Sequence, residues 1–183
     1  MTDQTPPPGP NQPPPGPATG TRPGELLDRF VARLIDGILL AVVDGIVVTG
    51  LVVGAIMGDS GGFYVGASDY AAGAVSAVLT SAIQLGYFCY LETSRGQTVG
   101  KMVMRLRVLG PEGGHPTTEQ SLRRNCWLAF GILGVLPFIG GFLGGLASLV
   151  AVIMIAIGIN NDTVNRQAWH DRFAGGTRVV KEG

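Results

Sequence analysis

The chain has 183 residues, of which only 14% are charged, with 29 glycines and a mean hydropathy of +0.33. A soluble domain normally carries about 25% charged residues. This composition therefore argues against an ordinary soluble protein and predicts an all-α integral membrane helical bundle in contact with the lipid bilayer. The thirteen basic and thirteen acidic residues cancel, so no excess of positive charge points to nucleic acid as a partner.

Residues 1–24 form a proline-rich tail that contains nine of the twelve prolines. The Gly, Gln, Thr and Asn between them bury too little apolar surface to offset the entropy of ordering. We predict a disordered cytoplasmic tail with local polyproline II character, either merely solvated or a ligand for a proline-motif-binding partner. The tail lacks the basic-then-apolar order of a cleavable signal peptide, so the first span is expected to act as its own insertion signal.

Four apolar segments follow the tail, at about 34–57, 70–91, 122–137 and 142–159. The second carries no charge and, at about 1.5 Å rise per residue, covers about 31 Å, which is the thickness of the hydrocarbon core. Within it, small residues recur at a spacing of four and predict close contact with another helix: Gly73, Ala77 and Ser81.

The last apolar block, Trp127 to Ile159, is too long for one straight span and is interrupted by Pro137, Gly140 and Gly141. Two alternatives remain for it. Either two helices turn near the proline, giving four transmembrane segments, or a re-entrant segment precedes one full span, giving three spans plus that segment.

The distribution of basic residues sets the predicted orientation. All thirteen Lys and Arg fall within 22–33, 95–124 and 166–181. The positive-inside tendency places these segments, and with them both termini, in the cytoplasm of a multi-pass protein of the cell inner membrane. An even number of crossings after residue 125 is then required.

The loop at 92–121 is predicted to hold a small cytoplasmic β element. Apolar residues alternate with basic ones over residues 101–108, which is strand periodicity, and a similar alternation over 177–181 suggests that the two segments pair. Thr117 and Gln120 have the spacing of a capping box that opens a helix running into Trp127.

Two carboxylates, Asp36 and Asp44, lie in the first apolar segment. A charge at mid-bilayer costs about 2.5–3.5 kcal/mol on insertion scales, so Asp44 must find a partner, water or a proton. It is either a proton or ion site or a hydrogen-bond partner of a second-span residue: Ser76, Thr80 or Gln84. Asp36 is expected to pair with Arg33, three residues before it. Arg29 is two turns from Asp36, which suggests that a third group, such as another carboxylate, lies between them.

Three separated motifs resemble the RDD family of bacterial membrane proteins, and the proline-rich tail is similar to that of its actinobacterial members. They are Arg29-Phe-Val-Ala-Arg-Leu-Ile-Asp36, Gly96-Gln-Thr-Val-Gly-Lys101 with Arg105-Leu-Arg-Val108, and Trp169-His-Asp-Arg-Phe-Ala-Gly175 with Thr177-Arg-Val-Val180. The resemblance covers about residues 25–181 and implies a membrane domain over that range. It also implies that Arg29, Asp36 and Asp171 are the arginine and two aspartates for which the family is named. On physical grounds we expect Asp171 to meet Arg29 at the cytoplasmic mouth, with Asp36 on the other side of the guanidinium. An extra glycine, Gly176, departs from the usual ending and leaves the register of the last strand open.

No motif supplies a complete catalytic constellation, so we expect no enzyme activity and no cofactor. His170-Asp171 has no nucleophile in a recognisable setting, and two histidines with two scattered cysteines give no metal-site spacing.

The leading hypothesis is a transport component for a cation or small solute, with Asp36 and Asp44 as the ion or proton site. One subunit has few helices, so a homo-oligomer or a partner membrane protein is expected to complete a pathway. The alternative is an accessory or scaffolding membrane protein that recruits partners through its tail and basic cytoplasmic face.

Overall fold

The computed structural model describes residues 21–53 and 67–183. The predicted tail up to residue 20 and the end of the first predicted span lie outside these residues. The described chain is mainly helical, with a small antiparallel sheet at one end of the helices.

The first helix, α1 (Leu26–Asp44), buries one carboxylate between two apolar residues and is apolar on its exposed face. Its buried residues are Ala32, Asp36 and Leu40. The exposed face carries large apolar side chains at helical spacing, an arrangement that suits contact with lipid: Leu27, Phe30, Leu34, Ile38 and Val42. The chain continues from α1 as a wider π-helix, Gly45–Val53.

The two longest helices are long and apolar enough to cross a membrane. They are α2 (Ala67–Arg95), with its apolar part at Tyr70–Arg95, and α5 (Gly140–Asn161). At about 1.5 Å per residue, 22 residues of α5 cover about 33 Å. The second predicted span is therefore extended at both ends, since α2 begins before Tyr70 and continues past Leu91.

The last apolar block folds as a hairpin. A short helix, α4 (Thr118–Asn125), runs into a 3₁₀ helix, Cys126–Val135, which turns through Pro137 and Phe138 into α5. Close approach depends on glycine: a Cβ on Gly144 would lie 2.6 Å from the Phe130 carbonyl oxygen, and one on Gly131 would lie 2.9 Å from Ser81 Oγ. The predicted small-residue face of α2 thus meets the 3₁₀ helix. The predicted segment at 122–137 is not a regular α-helix, and 3₁₀ runs of this length are uncommon.

Three short strands, β1 (Thr21–Pro23), β2 (Leu106–Leu109) and β3 (Arg178–Glu182), form a sheet in the order β1-β3-β2. The register pairs Val108 with Val179, so the expected pairing of the two basic segments is observed. Positive φ angles at Gly175 and Gly176 allow the turn that leads into β3. Ala32 of α1 packs with the buried sheet residues Leu106, Val108 and Val179.

Two sequence predictions need correction here. The tail was predicted to be disordered through residue 24, but Thr21–Pro23 pairs with β3, because the backbone of this segment completes the sheet. The strand predicted over 101–108 is shorter, because Val99–Val103 forms a helical turn, α3. Thr98 caps that turn by accepting a hydrogen bond from the Lys101 N–H, and local capping outweighs the alternating pattern.

Candidate functional site

Arg29 joins three parts of the chain that are distant in sequence. Its guanidinium donates from Nε to the Gly24 carbonyl at 3.0 Å and from Nη2 to the Arg166 carbonyl at 2.7 Å. Nη1 donates to Asp171 Oδ2 at 3.2 Å. The expected meeting of Arg29 and Asp171 is therefore present. Asp36 does not lie on the other side of this guanidinium, where two backbone carbonyls accept its hydrogen bonds instead.

Asp171 lies on α6 (Trp169–Phe173) and is fully buried. Besides Arg29, its carboxylate accepts the Ala168 N–H at 3.1 Å and lies 3.3 Å from Arg124 Nη1. Burial alone would raise the pKa of Asp171, but Arg124 and Arg29 outweigh it and lower the pKa to about 2. The neighbouring His170 is also buried, and burial lowers its pKa to about 3. At neutral pH Asp171 is therefore charged and His170 is neutral.

Glu92 is a second fully buried carboxylate, and the sequence analysis did not single it out. Its Oε1 pairs with the Lys101 ammonium, while Oε2 accepts hydrogen bonds from Ser121 Oγ and Asn125 Nδ2, each at 2.9 Å. Burial lowers the pKa of Lys101 from 10.5 to about 8, with Glu92 opposing the shift.

Arg124 links the two carboxylates, because its Nε lies 4.0 Å from Glu92 and its Nη1 approaches Asp171. We call these five side chains the charge cluster: Arg29, Glu92, Lys101, Arg124 and Asp171. Its carboxylates are paired and hydrogen-bonded, as buried charges require.

Asp36 is held separately by three neutral donors. Tyr87 Oη and the Gly100 N–H donate to Oδ1, each at 2.7 Å, and Thr98 Oγ1 donates to Oδ2 at 2.6 Å. Its side chain has no exposed surface. This arrangement fastens the loop at 98–100 onto α1, and it leaves no solvent-facing oxygen for ion exchange.

Arg33 does not form the predicted ion pair with Asp36. Its guanidinium instead lies over two aromatic rings, 3.8 Å from the centroid of Phe88 and 4.8 Å from that of Trp127. Cation–π attraction strengthens when the cation is removed from water, and this alternative explains why the i, i+3 pair is not made.

Asp44 is half-buried near the other end of α1 and hydrogen-bonds Gln84 of α2. Gln84 was one of the three partners considered for it. Within the described part of the chain, Asp44 Oδ1 has no hydrogen-bond partner. The two carboxylates differ in their hydrogen bonding: Asp36 is held by three donors, whereas Asp44 is only partly satisfied.

A cavity of about 560 Å³ lies beside Gln84, between α2, the 3₁₀ helix and α5. Most of its wall is apolar, but five of its ten lining residues carry a hydroxyl or amide group: Ser76, Thr80, Ser81, Gln84 and Ser148. We call it the hydroxyl-lined cavity. Among the described residues no group of three His, Cys, Asp or Glu is arranged to hold a metal ion.

The comparisons with known proteins bear on the family to which the chain belongs. No curated protein and no solved structure gives a significant match to the chain. The model of the RDD family matches residues 23–175. This range includes Arg29, Asp36 and Asp171 and most of the described chain. The chain therefore belongs to the RDD family.

Proposed function

We propose that the protein is a membrane transport component for a small polar solute or cation, and that the hydroxyl-lined cavity is part of its path. The cavity is the observation that carries the proposal. Hydroxyl and amide groups are costly among spanning helices unless they bond to one another or line a pathway. The hydroxyl groups of Ser76 and Ser81 donate hydrogen bonds to carbonyls of their own helix, so their oxygens remain available as acceptors.

Asp44 is the carboxylate that we assign to this path. It reaches the cavity through Gln84, and its Oδ1 has no partner among the described residues. Asp36, by contrast, is a positioning residue in this proposal, because three donors already hold it.

We further propose four crossings of the bacterial inner membrane with both termini in the cytoplasm. The π-helix after α1 and the hairpin before α5 would supply the first and third crossings beside α2 and α5. The charge cluster and the sheet would then lie together at the cytoplasmic boundary, where the basic residues are concentrated. A homo-oligomer or a partner membrane protein would complete the path, and no enzymatic step is proposed.

The test uses proteoliposomes of the full chain with a pH-sensitive dye inside and alkali cations added outside. Asp44→Asn should abolish cation-dependent proton movement while oligomer size and melting temperature stay unchanged. Glu112→Gln is the matched control, because it makes the same chemical change at an exposed turn. If adding cations leaves the internal pH unchanged with stable wild-type protein, cation–proton exchange is ruled out. An Asp44→Asn variant as active as wild type would place the path elsewhere.

A second candidate, an accessory protein, is favoured by the position of the tail. Residues 1–20 lead directly into β1, an edge strand of the sheet, so the tail starts from a fixed surface. Deleting residues 1–20 leaves that strand intact. Under the accessory hypothesis the deletion removes a co-purifying partner without lowering the abundance of the protein. Under the transport hypothesis proton movement survives it.

A further inference from the structure

A second cavity, of about 160 Å³, lies between α1, α5 and the charge cluster. We call it the cationic cavity. Its inner lining includes four basic side chains, Arg29, Arg33, Lys101 and Arg124, with Glu92 as the acidic one. Its other walls are apolar and include Phe30 and Val152. Those two residues are 60% and 44% exposed, so this side of the cavity adjoins the apolar outer surface of the helices.

The basic side chains around this cavity are not fully balanced. Four cations stand against three carboxylates, Glu92, Asp171 and Asp36, all of which have no exposed surface. His170 adds no charge at neutral pH. At least one positive charge therefore remains in a largely buried setting, where an uncompensated charge is costly.

Two guanidinium groups at the cavity are incompletely hydrogen-bonded. Arg124 Nη1 lies 3.3 Å from Asp171 Oδ1 as an ion pair, yet it makes no hydrogen bond of good geometry among the described residues. The Arg33 guanidinium lies over the faces of Phe88 and Trp127. Such groups remain available to a further acceptor, and an anionic oxygen accepts the strongest bonds from guanidinium groups.

We propose that the cationic cavity binds the phosphodiester of an anionic glycerophospholipid, with the acyl chains leaving along the apolar wall beside Phe30 and Val152. One negative charge matches the surplus of one positive charge. A volume of 160 Å³ is that of about five water molecules in the liquid, which accommodates a phosphate group with its oxygens. A zwitterionic lipid does not fit as well, because its own cation cancels the charge that the cavity requires. The exposed apolar residues at the mouth favour a lipid over free phosphate.

Trp127 supplies a local reporter, because it lines this cavity. The chain has one other tryptophan, Trp169, whose indole N–H has no hydrogen-bond partner among the described residues. In the Trp169→Phe variant, Trp127 is the remaining tryptophan and therefore the source of the tryptophan fluorescence. This full-length variant is reconstituted with brominated phosphatidylglycerol or brominated phosphatidylcholine, each titrated against its unbrominated form.

The expected result is a preference of at least about tenfold for phosphatidylglycerol in quenching Trp127, since bonds to charged groups contribute that much or more. Arg33→Gln should lower the preference by about tenfold. Arg123→Gln is the matched control, because Arg123 is exposed and pairs only with Glu119 one helical turn away, and it should leave the preference unchanged. Equal quenching by both lipids overturns the proposal.

Two further experiments complete the test. If millimolar inorganic phosphate reverses the quenching by brominated phosphatidylglycerol, the cavity binds free phosphate and the proposal is wrong. If Arg33→Gln fails to fold, Ala156→Phe fills the cavity from its α5 wall without changing charge. A filled cavity that keeps the lipid preference also refutes the proposal.

Discussion

Gly100→Ala is the most direct test of how the loop at 98–100 is fixed to α1. A Cβ built on Gly100 would lie 2.9 Å from the Ala32 carbonyl carbon and 3.0 Å from Asp36 Cγ, and closer still to the Ala32 carbonyl oxygen. Ordinary contacts of a Cβ are 3.4–4 Å. The atoms in the way are a helix backbone and a side chain held by three hydrogen bonds, so neither can move away on its own.

The structure gives a magnitude for this change. Moving the loop outward stretches the 2.7 Å hydrogen bond from the Gly100 N–H to Asp36 Oδ1, and a bond to a carboxylate contributes about 1.5–3 kcal/mol. Overpacking of a tight site costs about 1–3 kcal/mol more. We expect a total loss of about 3–5 kcal/mol, a large share of the roughly 5–15 kcal/mol by which folded proteins are stable.

The assay is reversible unfolding in mixed micelles, with the SDS fraction raised stepwise and Trp fluorescence recorded. Gly37→Ala is the matched control, because a Cβ at Gly37 on α1 meets nothing within 4 Å. That change should stabilise the helix by about 0.5–1 kcal/mol. If Gly100→Ala unfolds at the same SDS fraction as wild type, the close packing of the loop on α1 is wrong.

Two other substitutions test the charge cluster in the same assay. Glu92→Gln should lower the free energy of unfolding by about 3–5 kcal/mol, because it leaves Lys101 and Arg124 without their buried partner. The control, Glu119→Gln, breaks only an exposed pair and should lower it by about 1 kcal/mol or less. Equal losses from the two variants would contradict the buried position of Glu92. His170→Gln should remove a part of the acid sensitivity. The pKa of His170 is about 3 in the folded chain, and its ordinary value is 6.5. As the pH falls, the unfolded chain is therefore protonated at His170 before the folded chain. The stability present above pH 6.5 is then lost by up to about 1.4 kcal/mol per pH unit. An unchanged pH profile would refute this.

The sequence was most informative where a residue had an unusual setting. Arg29 lies two helical turns from Asp36, a spacing that suggested another carboxylate between them, and the resemblance supplied Asp171. The ion pair across 142 positions is present in the structure. The capping box at Thr117 and Gln120 was also predictable, because both of its hydrogen bonds are local.

Glu92 could not be found in this way. A single glutamate after an apolar segment has the appearance of any residue at a membrane boundary, and its partners Lys101, Ser121 and Asn125 lie 9, 29 and 33 positions further along the chain. The alternation over residues 101–108 predicted a longer strand, because the pattern was given more weight than the local capping of α3 by Thr98.

The family's three residues lie where they join distant parts of the chain. Arg29 and Asp171 bind each other and backbone groups from Gly24 and Arg166, and Asp36 holds the loop at 98–100, so together they join the start, the middle and the end of the described chain into one unit. Asp36 and Asp171 have no exposed surface and are held by several donors, which suits a structural role better than the exchange of an ion. Asp44 is less satisfied, and for that reason the proposed path is assigned to it and to the hydroxyl-lined cavity. In this proposal the three named residues fix the frame, and Arg29 also lines the cationic cavity.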